Sequence, residues 1–539
     1  MKRDFSLLAN RQFDLLVCGG GIYGAWTAYD AALRGLSVAI VEQGDWASAT
    51  SSASSKLIHG GLRYLETFDF KLVKKALTER QRLLKMAPHR VWPLRFGVPI
   101  YKDSRIGTLQ LKAGLTAYDF LAGDSSSGDS GSGISHRHFN RDAFAQRFPA
   151  LNSECLKGGY TYSDAQTDDA RLVLELISGA MSSGAVCVNY CKLTALQEAK
   201  GNIYGAMVQD QSTSINNAES LIRAKQIVNT TGTWMTLSQQ GREWCRLTKG
   251  VHLVMPPVLN DEALLLTAKS DGRVFFMIPW YGMTLLGTTD TDYTGDIEHV
   301  TVESTDVAYL LAAANDYLNT AWSEKDVIGQ YAGVRVMKQS GNASPSSVSR
   351  DWELKSFKNG VHYSIGGKLT SAREDAACIV NEVCARLDKD IPCATTSRMF
   401  PWAPQGSPQQ NYSEWAAAAE AQARQLNIDH ESAKWLIRRH GKRVGEVLRS
   451  VAADPHLAER VIISLPFIYA DFLFCARNEM AVHLDDLLRR RMPLLILAQL
   501  EAGTLHRLAE LIANLMGWDE IEIASEVAAC RIASRVHLL

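Results

Sequence analysis

The residues with the most chemical potential stand in one run, Ala49-Thr50-Ser51-Ser52-Ala53-Ser54-Ser55-Lys56-Leu57-Ile58-His59-Gly60-Gly61-Leu62-Arg63-Tyr64-Leu65-Glu66. Serines and paired glycines let a backbone come close to a phosphate or a planar ring, and Lys56, His59 and Arg63 supply donors for an anion. That combination is suited to holding a cofactor rather than to filling a core.

Such a loop needs a scaffold, and the segment before it reads as one. Phe13 to Cys18 is an apolar run with the character of a buried strand, Gly19-Gly20-Gly21-Ile22-Tyr23-Gly24 follows, Ala25 to Arg34 has helical character, Gly35 stops it, and Leu36 to Glu42 forms a second strand. Strand, Gly-x-Gly-x-x-Gly, helix, strand and acid in this order is the dinucleotide-binding arrangement. Gly19 is expected to make the tight turn, Gly21 to admit a pyrophosphate, and Gly24 to let helix and strand approach, with Ile22 at the helix N-terminus facing the phosphates. Glu42, followed by Gln43, is placed to accept from the ribose hydroxyls of an adenosine.

Composition sets bounds on this reading. At 539 residues two or three domains are expected. A formal net charge of −1 gives no electrostatic footprint for nucleic acid. The ten cysteines include no Cys-x-x-Cys pair, so no metal site is expected and a reducing compartment is the simplest setting. Met1 to Arg11 has no apolar stretch followed by a cleavage site, so no signal peptide is expected. Val461 to Cys475 and Met492 to Ala498 fall short of the roughly 20 apolar residues that span a bilayer and read as buried helices.

The fold class expected is α/β, a doubly wound Rossmann-like domain with an inserted mixed-sheet substrate domain and an all-α C-terminal domain. Residues 1–80 open the nucleotide domain and 81–165 begin the substrate part, with a flexible Gly/Ser-rich loop at 123–133. Residues 166–248 return to the nucleotide domain, where the strand into Thr231-Gly232-Thr233-Trp234 ends in a small-residue turn. Residues 249–334 form the substrate sheet, and 335–398 close the nucleotide domain through Gly366-Gly367-Lys368-Leu369-Thr370, where a helix N-terminus would offer free amides. Residues 399–539 read as a separate helical cap with helices at Glu414 to Leu426, Ser432 to Val451 and Ala481 to Arg491.

Taken in order, these motifs resemble the FAD-dependent glycerol-3-phosphate dehydrogenase family. The likeness is carried by the glycine turn at Gly19, the run Thr50 to Glu66, Asp168-Asp169-Ala170-Arg171-Leu172, Lys249-Gly250-Val251-His252, Ile278-Pro279-Trp280, Leu286-Gly287-Thr288-Thr289-Asp290, Gly333-Val334-Arg335, Ser349-Arg350-Asp351, Gly366 to Thr370, and Leu484-Asp485-Asp486-Leu487-Leu488-Arg489-Arg490-Arg491. The resemblance implies FAD as cofactor and oxidation of sn-glycerol 3-phosphate at C2 to dihydroxyacetone phosphate, with electrons passed to a quinone. It also implies peripheral attachment to the cytoplasmic face of the inner membrane. Lys74-Lys75, Arg438-Arg439 and Arg489-Arg490-Arg491 are the basic groups available to anionic headgroups. A homodimer is allowed for.

On that resemblance, FAD is expected to be held by Gly19, Gly21, Ile22, Gly24, Glu42, Gln43, Thr50, Ser51, Ser52, Ser54, Ser55, Lys56, Leu57, His59, Gly60, Gly61, Gly232, Trp234, Gly367, Lys368, Leu369 and Thr370. Arg63, Arg335 and Arg350 would anchor substrate, because a planar guanidinium binds phosphate bidentately, with Tyr64 shaping the pocket and Thr370 contacting ring and substrate. His252 is the expected proton acceptor, Arg335 a stabiliser of the developing oxyanion and Lys368 a cation at the flavin edge. The chain departs from the family pattern at Tyr23 for Asn, Trp26 for a small residue, Thr233 and Val336 for prolines, and Ser371-Ala372 for Thr-Tyr, and the acids usual after Val336 are missing. These departures leave open a related phosphorylated polyol or 2-hydroxy acid as substrate, oxygen as acceptor, and a non-catalytic flavin-binding sensor.

Overall fold

The computed structural model describes residues 1–9, 11–66, 68–123, 135–212, 218–339, 351–404 and 410–536. The Gly/Ser-rich run beyond Gly123 and Arg350 lie outside the described residues, as does the side chain of Arg63.

Two sheets organise the chain. The first has Gln12–Cys18 at its centre, flanked in parallel by Val38–Val41 and Glu219–Asn229, with Val186–Val188 and Val361–Ile365 extending the parallel set outward. Cys191–Ala199, Asn202–Asp210 and Glu353–Ser356 join antiparallel at the edges. A parallel sheet must be covered on both faces, which explains the continuous apolar run Leu15-Leu16-Val17, fully buried throughout. The helices Ile22–Leu33, Asp169–Ser182 and Ala372–Arg386 pack together on one side and share one apolar core with it.

Among the described residues the second sheet has ten strands. Its single parallel pairing joins Val91–Tyr101 to Ala263–Thr267, and its other pairings are antiparallel, so the sheet is mixed as expected. Gly329–Lys338 lies antiparallel to Cys245–Met255, which places Thr248 opposite Arg335 and His252 opposite Tyr331. The boundary drawn at 334/335 therefore cuts a strand, and Arg335 belongs to the second, mixed sheet.

The C-terminal region is helical from Gln410 to Val536, with two departures from expectation. The helix read over Ser432 to Val451 is broken into His430–His440 and Val444–Ala453. Gly441, at φ +53°, makes the break, because any β-carbon there would collide with the Trp402 carbonyl. The segment read as a helix from Ala481 becomes helical only from Leu484, ahead of the turn Asp486–Arg491. Its arginines turn inward, Arg490 and Arg491 both pairing with the buried carboxylate of Asp45.

This pairing corrects the reading of the basic patches. Arg439, Arg490 and Arg491 are buried and pair with acids, Arg439 with Asp471, so they do not face headgroups. Lys75 pairs with Asp375 at 2.5 Å, Arg489 with Asp485 at 3.3 Å, and Arg438 lies over Trp92 and Trp435. Among the described residues no helix is long and apolar enough to cross a membrane. Val461 to Cys475 becomes helical only from Tyr469, after Pro466, and Met492 to Ala498 contains the short buried helix Leu494–Leu497.

Candidate active site

The strand Gln12–Cys18 ends at Gly19, whose φ of +108° turns the chain into the helix Ile22–Leu33. Gly24 sits one turn into that helix, where a β-carbon would overlap the Gly19 carbonyl, so it sets the close approach of helix and strand. Ile22 N–H donates to Ser51 Oγ at 2.9 Å, which brings the serine loop onto the helix N-terminus. Glu42, at the end of the second strand, accepts from Gly20 N–H at 2.6 Å and Gly44 N–H at 2.9 Å. Burial raises its pKa, and those amides partly offset the effect.

These elements wall a cavity of about 790 Å³, within the size range of cofactor sites. Of the expected residues, Gly19, Gly21, Ile22, Glu42, Gln43, Thr50, Ser51, Ser54, Ser55, Leu57, His59, Gly61, Tyr64, Gly232, Trp234, Arg335, Gly367, Lys368, Leu369 and Thr370 line it. Five others stand behind the wall. Gly24 packs the helix, Ser52 Oγ turns back to the Ala49 carbonyl, and Gly60 N–H meets Tyr118 and Asp164. Lys56 Nζ is buried against Asp169 Oδ1 at 2.6 Å and the Ser52 carbonyl at 2.5 Å, so its charge serves the loop rather than a ligand. His252 is the fifth.

Asp169, one of the motif residues that carry the family likeness, organises the loop. One of its carboxylate oxygens accepts from Ser54 N–H at 3.1 Å and Ser54 Oγ at 2.6 Å, while the other takes Lys56 Nζ. This fixes Lys56 at φ +59°, a strained conformation outside glycine, and gives the loop one shape. The sequence signal was the Asp168-Asp169 doublet, in which one acid suffices to cap the helix: Asp168 accepts from Arg171 N–H.

The mixed sheet contributes the second wall. Arg335 Nη2 donates to Thr288 Oγ1 at 3.0 Å, and Nη1 reaches the Thr289 carbonyl and Asp290 Oδ1 at 3.4 Å. Its guanidinium lies over Gly250 and the His252 ring over Gly287, positions where a β-carbon would strike them. His252 Nε2 is 2.8 Å from Ser55 Oγ, and its ring stacks on Tyr331 at 4.9 Å. Burial, with Arg335 and Lys56 adding to it, pushes its pKa well below the ordinary imidazole value. The imidazole is neutral at working pH.

Lys368 and Thr370 enter from the turn before the helix Ala372–Arg386. Lys368 Nζ lies 3.8 Å above the Tyr64 ring, and Thr370 Oγ1 accepts from His59 N–H at 3.1 Å, tying this turn to the serine loop. Tyr23, one of the departures, supports the same turn from below. Its hydroxyl accepts from Lys368 N–H at 3.0 Å and donates to Asp375 Oδ2 at 2.7 Å. Trp26 points the other way, packing edge-on against Phe400 at 5.4 Å, and does not line the cavity.

Comparison with known proteins agrees with this arrangement. Residues 14–373 match the family described as FAD dependent oxidoreductase, and residues 405–523 match the C-terminal domain of alpha-glycerophosphate oxidase. A glycerol-3-phosphate dehydrogenase of Synechocystis is 33% identical, with 97% of each chain covered. The aerobic glycerol-3-phosphate dehydrogenase of Bacillus subtilis is 34% identical over 91% of this chain and 89% of its own. The solved structure of the glycerol-3-phosphate dehydrogenase from Bacillus halodurans, complexed with FAD, superposes with a TM-score of 0.79 at 27% identity, covering 99% of this chain and 97% of that one. The glycine turn, the amide-bound acid and the Gly19 and Gly21 backbone lining the cavity fit a dinucleotide, and the chain belongs to the FAD-dependent glycerol-3-phosphate dehydrogenase family, with FAD as its cofactor.

Proposed function

We propose that this chain oxidises sn-glycerol 3-phosphate at C2 to dihydroxyacetone phosphate and hands the electrons to a quinone. The observation that carries the reading is the placement of Arg335 and Lys368 in the wall of the same cavity as the serine loop. A phosphorylated substrate needs cationic donors beside the reacting carbon, and the guanidinium fork, braced by Thr288 and Asp290, is pre-aimed for oxygens. Bound FAD supplies the two-electron acceptor for the hydride that leaves C2.

The chain's own work is to hold the phosphate, orient C2 and take the hydroxyl proton. Two histidines are candidates for the last task, and they are placed differently. His59 lines the cavity, with its ring edge-on to Phe276, whereas neutral, buried His252 meets the cavity through Ser55. We assign proton acceptance to His59 and a supporting place to His252.

A lipid-borne acceptor is supported by exposed apolar side chains on two neighbouring helices and the loop before them. Leu109 (83% exposed) and Phe120 (71%) lie three turns apart on the helix Thr108–Ala122, and Phe68 (76%) and Phe70 stand beside it. Lys74 Nζ ties the neighbouring helix to the Leu121 carbonyl, and Arg105, which lines the cavity, pairs with Glu66. Exposed apolar side chains together with the exposed Lys71, Lys74 and Lys112 on the same two neighbouring helices suit peripheral attachment to an anionic bilayer.

Anaerobic addition of sn-glycerol 3-phosphate to the FAD-loaded protein is expected to bleach the visible flavin band, with glycerol and lactate leaving it intact. Colour should return faster with a quinone analogue than with oxygen. Absence of bleaching while FAD remains bound would sink the assignment, and faster recovery with oxygen would make the protein an oxidase.

A further inference from the structure

Ser55 and His252 form a pair whose polarity can be read from its surroundings. Ser55 lines the cavity, and His252 Nε2 stands 2.8 Å behind its hydroxyl. The other ring nitrogen, Nδ1, is buried and meets no hydrogen-bond partner among the described residues. A buried N–H left without an acceptor is rarer and costlier than a lone pair left without a donor. The proton of the neutral ring therefore belongs on Nε2, which donates to Ser55 Oγ. The hydroxyl's own hydrogen is then free to point elsewhere, and among the described residues Ser55 Oγ has no second partner.

The packing holds the ring in this orientation. It stacks on Tyr331 with 16° between the planes, and the Tyr331 hydroxyl is itself anchored on the Ser54 carbonyl at 2.8 Å. Gly287, directly opposite on the adjoining strand, leaves the space the ring fills. The cationic neighbours Arg335 and Lys56, together with burial, oppose protonation of the ring, so the pair does not switch direction near neutral pH.

We propose that His252 is a positioning residue that fixes Ser55 as a hydrogen-bond donor into the cavity, directed at the bound flavin. A fixed donor favours the reduced, more electron-rich ring over the oxidised one, so the pair raises the flavin's reduction potential. This inference rests on the cofactor being FAD and is independent of which substrate the site accepts.

The test is the midpoint potential of the FAD-loaded protein, measured with no substrate present, together with its visible spectrum. Ser55→Ala is expected to lower the potential, corresponding to about a two- to tenfold loss in the reduction equilibrium, the scale of one hydrogen bond. Ser55→Thr should retain the wild-type value. His252→Leu should lower the potential as Ser55→Ala does, and His252→Gln, which keeps a side-chain N–H, should recover part of the shift. An unchanged potential in FAD-loaded Ser55→Ala would overturn the donor assignment. A folded His252→Leu protein with the wild-type potential would overturn the positioning role. The serine variants change only one small side chain, so they carry the test even if the histidine variants fold poorly.

Discussion

Arg335 shows how much a single side chain's setting decides. Its guanidinium is about one-fifth exposed, bonded to Thr288 and Asp290, and free of steric hindrance only because position 250 is glycine. Val336 keeps an N–H in the strand that continues to Lys338, opposite Leu247. Replacing Arg335 with lysine keeps the charge and removes the fork. Stopped-flow reduction by glycerol 3-phosphate is expected to slow by about 100-fold or more in Arg335→Lys, with FAD content unchanged. Loss of FAD instead would move Arg335 from substrate to cofactor.

The decisive features among elements are the ties between the helical region and the cofactor loops. Asp45 lies three residues beyond Glu42 and is gripped by Arg490 and Arg491, while Arg171, two residues beyond Asp169, pairs with Glu479. Trp46 Nε1 reaches Met480 Sδ at 3.3 Å, adding a third tie. The helical region is thus a buttress for the segments that shape the cavity. Arg491→Met leaves the buried Asp45 carboxylate with Arg490 as its remaining partner, so the cost falls below the roughly 3 to 5 kcal/mol of leaving a buried charge unpaired. Calorimetry should show a lower Tm, and gel filtration should show FAD released more readily than from the wild type. Full FAD retention at reduced Tm would separate the buttress from cofactor binding.

The whole molecule carries a buried ionic network whose pH response has a defined sign. Burial would raise the Asp471 carboxyl, but Arg439 and His440 outweigh it and bring it down to about 2; Glu175 reaches about 2 in the same way through His89 and Arg90. Burial lowers His440 to about 4 despite Asp471 beside it. A histidine depressed in the folded state takes its proton first in the unfolded chain, so stability falls as pH drops from about 6.5 towards 4. The depressed carboxylates contribute stability above about 4.5 that is lost as pH falls towards 2. Both act in the same direction. The Tm is expected to decline steadily below about pH 6.5, and His440→Gln should reduce the upper part of that decline, to which buried His252 also contributes, while leaving the lower part in place. A Tm independent of pH between 4 and 6.5 would contradict the neutral, buried His440.

Much of the cofactor half was legible because its signals are local. A glycine turn between strand and helix, an acid at the next strand's end and a run of small hydroxyl residues each act through neighbouring backbone, so spacing alone conveys the geometry. The same holds for the Gly366 to Thr370 turn. What the sequence could not rank were residues whose role depends on distant partners. The fold pairs Lys56, expected at the cofactor, with Asp169, 113 positions away, and sets His252, expected as the base, behind Ser55. The arginines of 489 to 491 looked like a surface patch until Asp45 drew two of them inside. Sequence by itself determined the dinucleotide scaffold and the residues able to do the chemistry, because backbone conformation and side-chain type are local properties. Only the tertiary structure decided which charges face the cavity, because burial and ion pairing are properties of segments brought together from far apart in the chain.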